Sequence, residues 1–127
     1  MKRPTYSEIQ RKIKQAGEAI ARNDFRVLKP SIVALEALEL GIQIEEIDSV
    51  LIELLGEIKP GNYSGTYPPQ RSYEDGIFQR ELFAFQWLSK RLGCMTYLKF
   101  AFEGSHVWLV SLHPDRVDPK GKYHERN

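Results

Sequence analysis

Between Met95 and Arg116 the chain reads M-T-Y-L-K-F-A-F-E-G-S-H-V-W-L-V-S-L-H-P-D-R, two alternating runs around a central Gly-Ser. Alternation with period two marks strands that bury one face, and a glycine-bearing break between two such runs marks a hairpin. Thr96, Leu98, Phe100 and Phe102 share one face of the first strand, and Tyr97, Lys99 and Ala101 the other. On the return strand, Trp108, Val110 and Leu112 oppose Val107, Leu109, Ser111 and His113. Loop length decides which sets meet. A two-residue loop at Gly104-Ser105 pairs Tyr97 with Leu112 and sets Ser111 beside Leu98, mixing polar and apolar on both faces. A three-residue loop, Gly104-Ser105-His106, pairs Tyr97 with His113 and Lys99 with Ser111, and stacks the large apolar side chains on the opposite face. We expect the three-residue loop, with Trp108 and Trp87 in the core.

Upstream the period changes. Thr5 with Glu8 three residues later is a capping-box signal, and Tyr6, Ile9, Ile13, Ala16 and Ile20 follow at helical spacing, which predicts a helix over Ser7–Arg22 ended by Asn23-Asp24. Pro30 suits the first turn of a second helix, whose apolar run from Ile32 to Leu40 is broken only by Glu36 and Glu39 and is expected to be mostly buried. Gly41 fits the left-handed position after it, and Ile44, Ile47, Leu51, Leu54, Leu55 and Ile58 mark a third helix. From Pro60 to Gly76 glycines, prolines and tyrosines replace any period, predicting an ordered loop or mobile flap. Ile77–Phe85 then reads as a strand and Gln86–Leu92 as a turn or short helix. Helices followed by a meander predict an α+β fold with N-terminal helices packed on a small antiparallel sheet, in one domain over residues 1–127 with loose ends at 1–5 and 114–127.

No apolar run approaches a membrane span and no secretory signal opens the chain, so a soluble, cytoplasmic protein without membrane association is expected. A net charge of +1 does not announce a nucleic-acid binder, yet the charges are segregated. Residues 1–30 are basic and residues 31–60, with Glu36, Glu39, Glu45, Glu46, Asp48, Glu53 and Glu57 against Lys59, are acidic. Either the two helix faces attract each other or the basic helix touches phosphate or an acidic partner. Cys94 stands alone, and His106, His113 and His124 lack chelating spacing, so neither a disulfide, a metal nor any cofactor is expected.

The preferred register gathers a phenol, an ammonium, a hydroxyl and an imidazole on one patch. RNA cleavage without metal uses such groups: a base for the ribose 2′-hydroxyl proton, a cation for charge developing on phosphorus, and an acid for the leaving 5′ oxygen. His113 suits the base or acid role and Lys99 the cation. A solvent-facing strand also tolerates Tyr, Lys, Ser and His simply because they are polar, and pattern alone favours that plainer explanation. Tyr63, Tyr67 and Tyr73, with Arg71 among them, either stack on unpaired bases or pack on the domain.

Several short motifs, in order, add a further indication. Tyr6-Ser7-Glu8-Ile9 with Ala16-Gly17, Ala37-Leu38-Glu39-Leu40-Gly41-Ile42, Val50-Leu51-Ile52-Glu53-Leu54, Ile77-Phe78-Gln79, Tyr97-Leu98-Lys99-Phe100 and Val107-Trp108-Leu109-Val110-Ser111-Leu112 together resemble the MqsR family of type II toxins over most of residues 6–113. The resemblance implies a RelE-like frame, an mRNA endoribonuclease that halts translation, and a cognate antitoxin that neutralises it and through which alone DNA is contacted. It also implies that Gln79 and Tyr97 match the family's active-site glutamine and tyrosine, and Lys99 a lysine of the same strand. Two departures stand out. His113 follows Ser111-Leu112 where the family carries a lysine, and the functional lysine of the loop before the glutamine strand has no counterpart between Gly61 and Phe78, leaving Lys59 or Arg71 to deputise. The rival expectation is a non-enzymatic interaction module that keeps the frame and binds protein through the hairpin face or a sheet edge.

Overall fold

The computed structural model describes residues 2–117 and 123–124. Among these residues there are three α-helices and a four-stranded mixed sheet, an α+β architecture. The order is α1 (Tyr6–Ala21), β1 (Phe25–Val27), α2 (Pro30–Glu39), α3 (Ile47–Glu57), β2 (Leu82–Ser89), β3 (Cys94–Glu103), β4 (His106–Pro114), and a short pair β5 (Arg116–Val117) and β6 (Tyr123–His124).

α1 starts where its cap predicts: the Thr5 hydroxyl accepts from the Glu8 N–H at 3.1 Å. The capping box is only half used, because the Glu8 carboxylate turns to the Arg3 guanidinium, which also grips Glu81 just before β2. That clamp and the burial of Pro4 hold the segment before α1 in place, unlike the loose end expected for residues 1–5. Ile9, Ile13, Ala16 and Ile20 of α1 and Val50, Leu51, Leu54 and Leu55 of α3 bury against one face of the sheet, which supplies Phe83, Phe85, Leu98, Phe100, Leu109 and Leu112. Phe100 stacks on Phe85 and Phe83 with centroids 5.5 and 6.3 Å apart.

Four further expectations are corrected. The sheet is mixed rather than antiparallel, because β1, three residues between α1 and α2, pairs in parallel with β4. So short a strand has no period to read, and pairing alone makes it one. The strand expected over Ile77–Phe85 begins at Leu82 and runs through Ser89, since the apolar alternation of Phe83 and Phe85 continues to Trp87. Before it, Gly76 and Gln79 at positive φ fold residues 72–80 into a turn closed by the Ser72 N–H to Arg80 O and Gln79 N–H to Ser72 O bonds. α2 buries only Val33, Glu36 and Ala37, and Ile32, Leu35 and Leu38 are 49, 68 and 53% exposed. The helix packs by one stripe, so an apolar composition does not mean burial all round.

The hairpin carries the fourth correction. Its turn is the two-residue Gly104-Ser105, with Glu103 opposite His106, Ala101 opposite Trp108 and Phe100 opposite Leu109. The register then shifts, so that Lys99 faces Ser111 and Tyr97 faces His113. Val110 is the surplus residue, a β-bulge. The expected polar pairs are therefore present, through a bulge rather than a longer loop. Trp108 lands on the face away from the core, its indole N–H donating to Glu103 at 3.2 Å, while Trp87 is buried as expected. At the other end β4 includes Pro114, and the Asp115 N–H bonds to Met95 O. The rest of the looseness expected over 114–127 falls largely outside the described residues.

Candidate functional site

β1 ends at Val27 and α2 begins at Pro30, so the edge of β4 passes from a strand neighbour to a helix neighbour near the Val110 bulge. On β2 the loop ahead of the strand attaches at two points: the Ser64 N–H donates to Ala84 O and the Leu82 N–H to Gln70 O, both at 2.8 Å. α2, this loop and the sheet face turned away from the core enclose a cleft of about 600 Å³. Lys29, Ile32 and Glu36 line it from the helix side, Ser64, Thr66 and residues 70–74 from the loop, and Ala84, Tyr97, Lys99, Val110 and Ser111 from the sheet.

Tyr63 braces the loop. Its hydroxyl donates to Thr66 O at 2.6 Å, and its ring stands edge-on to Phe85 and Tyr67. Burial pushes its phenol up to about 12, so it is a donor across the working pH range. A Cβ at Gly65 would lie 2.6 Å from the Tyr63 oxygen, so a larger residue there would displace the Tyr63 ring. Beside it the Ser64 hydroxyl oxygen is buried with no hydrogen-bond partner among the described residues.

The sheet floor differs from the open polar surface expected of it. Tyr97 is 3% exposed and His113 fully buried, their rings stacked at 5.0 Å with 22° between planes. The His113 Nδ1 lies 2.8 Å from Pro114 O, which makes Nδ1 the protonated nitrogen. His113 stacks beside Tyr97 and is not among the residues that line the cleft. Lys99 does line it, with Nζ 5.9 Å from the Tyr97 ring centroid.

Arg71 also lines the cleft, its guanidinium donating to Gln79 O at 3.1 Å. Gln79 itself is exposed at φ +66°, and its side chain stands outside the cleft lining. Lys59 is exposed at the start of the Pro60–Asn62 turn and Tyr67 is half-exposed against Tyr63, both away from the lining. The cleft thus joins Tyr97, Lys99 and Arg71 and leaves His113, Gln79, Lys59 and Tyr67 outside it.

Lys29 and Glu36 were not singled out as site residues in the sequence. Lys29 pairs with Glu74 at 2.8 Å, and the hydrogen bond to that carboxylate raises its pKa above the ordinary lysine value. Glu36 is 4% exposed, and the one signal for it was its interruption of an apolar run. Among the described residues no three His, Cys, Asp or Glu side chains converge as a metal site requires, and no helix is long and apolar enough to cross a membrane. No protein-family model matches the chain, and no curated protein matches it.

Proposed function

We propose that the chain is a metal-independent endoribonuclease that cleaves mRNA and halts translation, the toxin of a toxin–antitoxin pair on an MqsR-like, RelE-like frame, acting in the cytoplasm. The observation that carries this is the meeting of Lys99 and Tyr97 of β3 with Arg71 of the loop before β2 in one cleft beside Ser111. Two cations and a phenol in a partly dehydrated cleft suit a phosphodiester: the cations offset charge growing on the non-bridging oxygens, and the phenol can protonate the departing 5′ oxygen. Tyr73, 79% exposed at the rim, offers a ring for stacking an unpaired base. The expected partners are mRNA and a neutralising protein.

Induced expression in bacteria tests this. Growth arrest with loss of cellular mRNA is expected, and relief of both by Lys99→Met at unchanged protein level; normal growth with intact mRNA overturns it. A second reading, a non-catalytic interaction module, draws on the exposed ridge of Ile32, Leu35 and Leu38. It gains if Lys99→Met leaves growth arrest intact while Leu35→Glu abolishes it.

A further inference from the structure

Glu36 is a carboxylate of the cleft that the roles above leave unused. It sits on the buried stripe of α2 with Val33 and Ala37, where an apolar side chain is the ordinary occupant. It lines the same cleft as Lys99, Tyr97 and Arg71. His113, the proton acceptor suggested by the sequence, does not line the cleft.

We propose that Glu36 is the general base of the cleft. The assignment rests on the endoribonuclease reading. As the ribose 2′ oxygen bonds to the adjacent phosphorus, Glu36 takes its proton; the bond from phosphorus to the 5′ oxygen breaks and that oxygen leaves with the proton of Tyr97. The products are a 2′,3′-cyclic phosphate and a 5′-hydroxyl end. A proton then passes from the carboxyl group to the phenolate through solvent and restores both groups.

The full chain is assayed on a fluorescent single-stranded RNA oligonucleotide, with its 2′-O-methyl counterpart, which lacks the nucleophilic proton, as the binding probe. Glu36→Gln is expected to bind the probe within about twofold of the parent protein and to cleave RNA at least about 100-fold more slowly, the range for loss of a general base. Glu36→Ala is expected to recover at least about tenfold of its lost rate with added formate, which a merely structural role would not allow. Circular dichroism monitors folding. Should both variants unfold, Glu36→Asp keeps the charge one methylene further back and is expected to cleave about tenfold more slowly. Parent-like cleavage by a folded variant, in an active protein, overturns the role of Glu36 alone. A parent protein that binds or ignores the probe but cleaves no RNA overturns the endoribonuclease reading and Glu36 with it.

Discussion

The two ends of the β3–β4 hairpin are built from the same alternating sequence and do different work. At the tip, Phe100 and Phe102 face Leu109 and Val107 on the core side, and Ala101 faces Trp108 on the other. At the far end the core pair is Leu98 with Leu112, while Tyr97 with His113 and Lys99 with Ser111 form the cleft side. Between them β4 spends one residue, Val110, on the bulge. Without it the two ends could not both place apolar residues toward the helices, because a one-residue slip exchanges the faces. The bulge lets a single hairpin keep its core face along its whole length while its other face lines the cleft at the far end.

Deleting Val110 attacks that difference directly and carries the largest expected effect. Either the tip or the far end must then turn its polar residues inward, and we expect a loss of at least about 4 kcal/mol or no cooperative transition in urea, because buried polar groups would be stranded. Phe100→Ala strikes only the core side, where the ring stacks on Phe83 and Phe85. Chemical denaturation should register about 3–5 kcal/mol, with residual cleavage by the folded fraction. A mutant that stays stable would show that the tip is not where the sheet is anchored.

Lys99→Met makes the complementary cut. It should lower cleavage about 10²–10³-fold, as loss of a cation beside developing charge does, yet shift stability by no more than about 0.5 kcal/mol. Equal losses of stability and activity would erase the proposed division between the two sides.

The smallest expected effect is on pH dependence at the edge of the sheet. Burial raises the Glu57 pKa, but hydrogen bonds from Trp87, Ser89 and the backbone of Arg91 and Lys90 outweigh it and hold the carboxyl below its ordinary value. The group therefore favours the folded state above the ordinary carboxylate range, near pH ~4.3, and that contribution fades as pH falls through the lower folded-state value. Melting temperature against pH should fall on the acid side, and Glu57→Gln should flatten part of that fall. A slope unchanged by the substitution would assign acid sensitivity to other pairs, such as Arg3 with Glu8 and Glu81.

Helix α1, with its Thr5 cap, helix α3 and the far-end partners of the hairpin, Tyr97 with His113 and Lys99 with Ser111, were legible in the residues, because cap chemistry and periodicity are local. Of the candidate site, Tyr97, Lys99 and Arg71 were legible and their meeting in a cleft was not. Loop length is not legible for a physical reason: a three-residue turn and a two-residue turn with a downstream bulge give the same far-end pairs, and alternation is blind to where the extra residue sits.

What the sequence by itself determined is which side chains share a face within an unbroken helix or strand; on β4 the bulge at Val110 exchanges the faces and joins Leu109 to Leu112. What only the tertiary structure decided is what covers each face. β1 is a strand because β4 is beside it, α2 exposes three large apolar residues because it docks by one stripe, and His113 is buried because its face of the sheet is enclosed. Glu36 becomes a cleft residue by the same route. The period of a helix or strand fixes directions relative to its own axis, whereas burial depends on contacts between segments far apart in the chain, which no local pattern records.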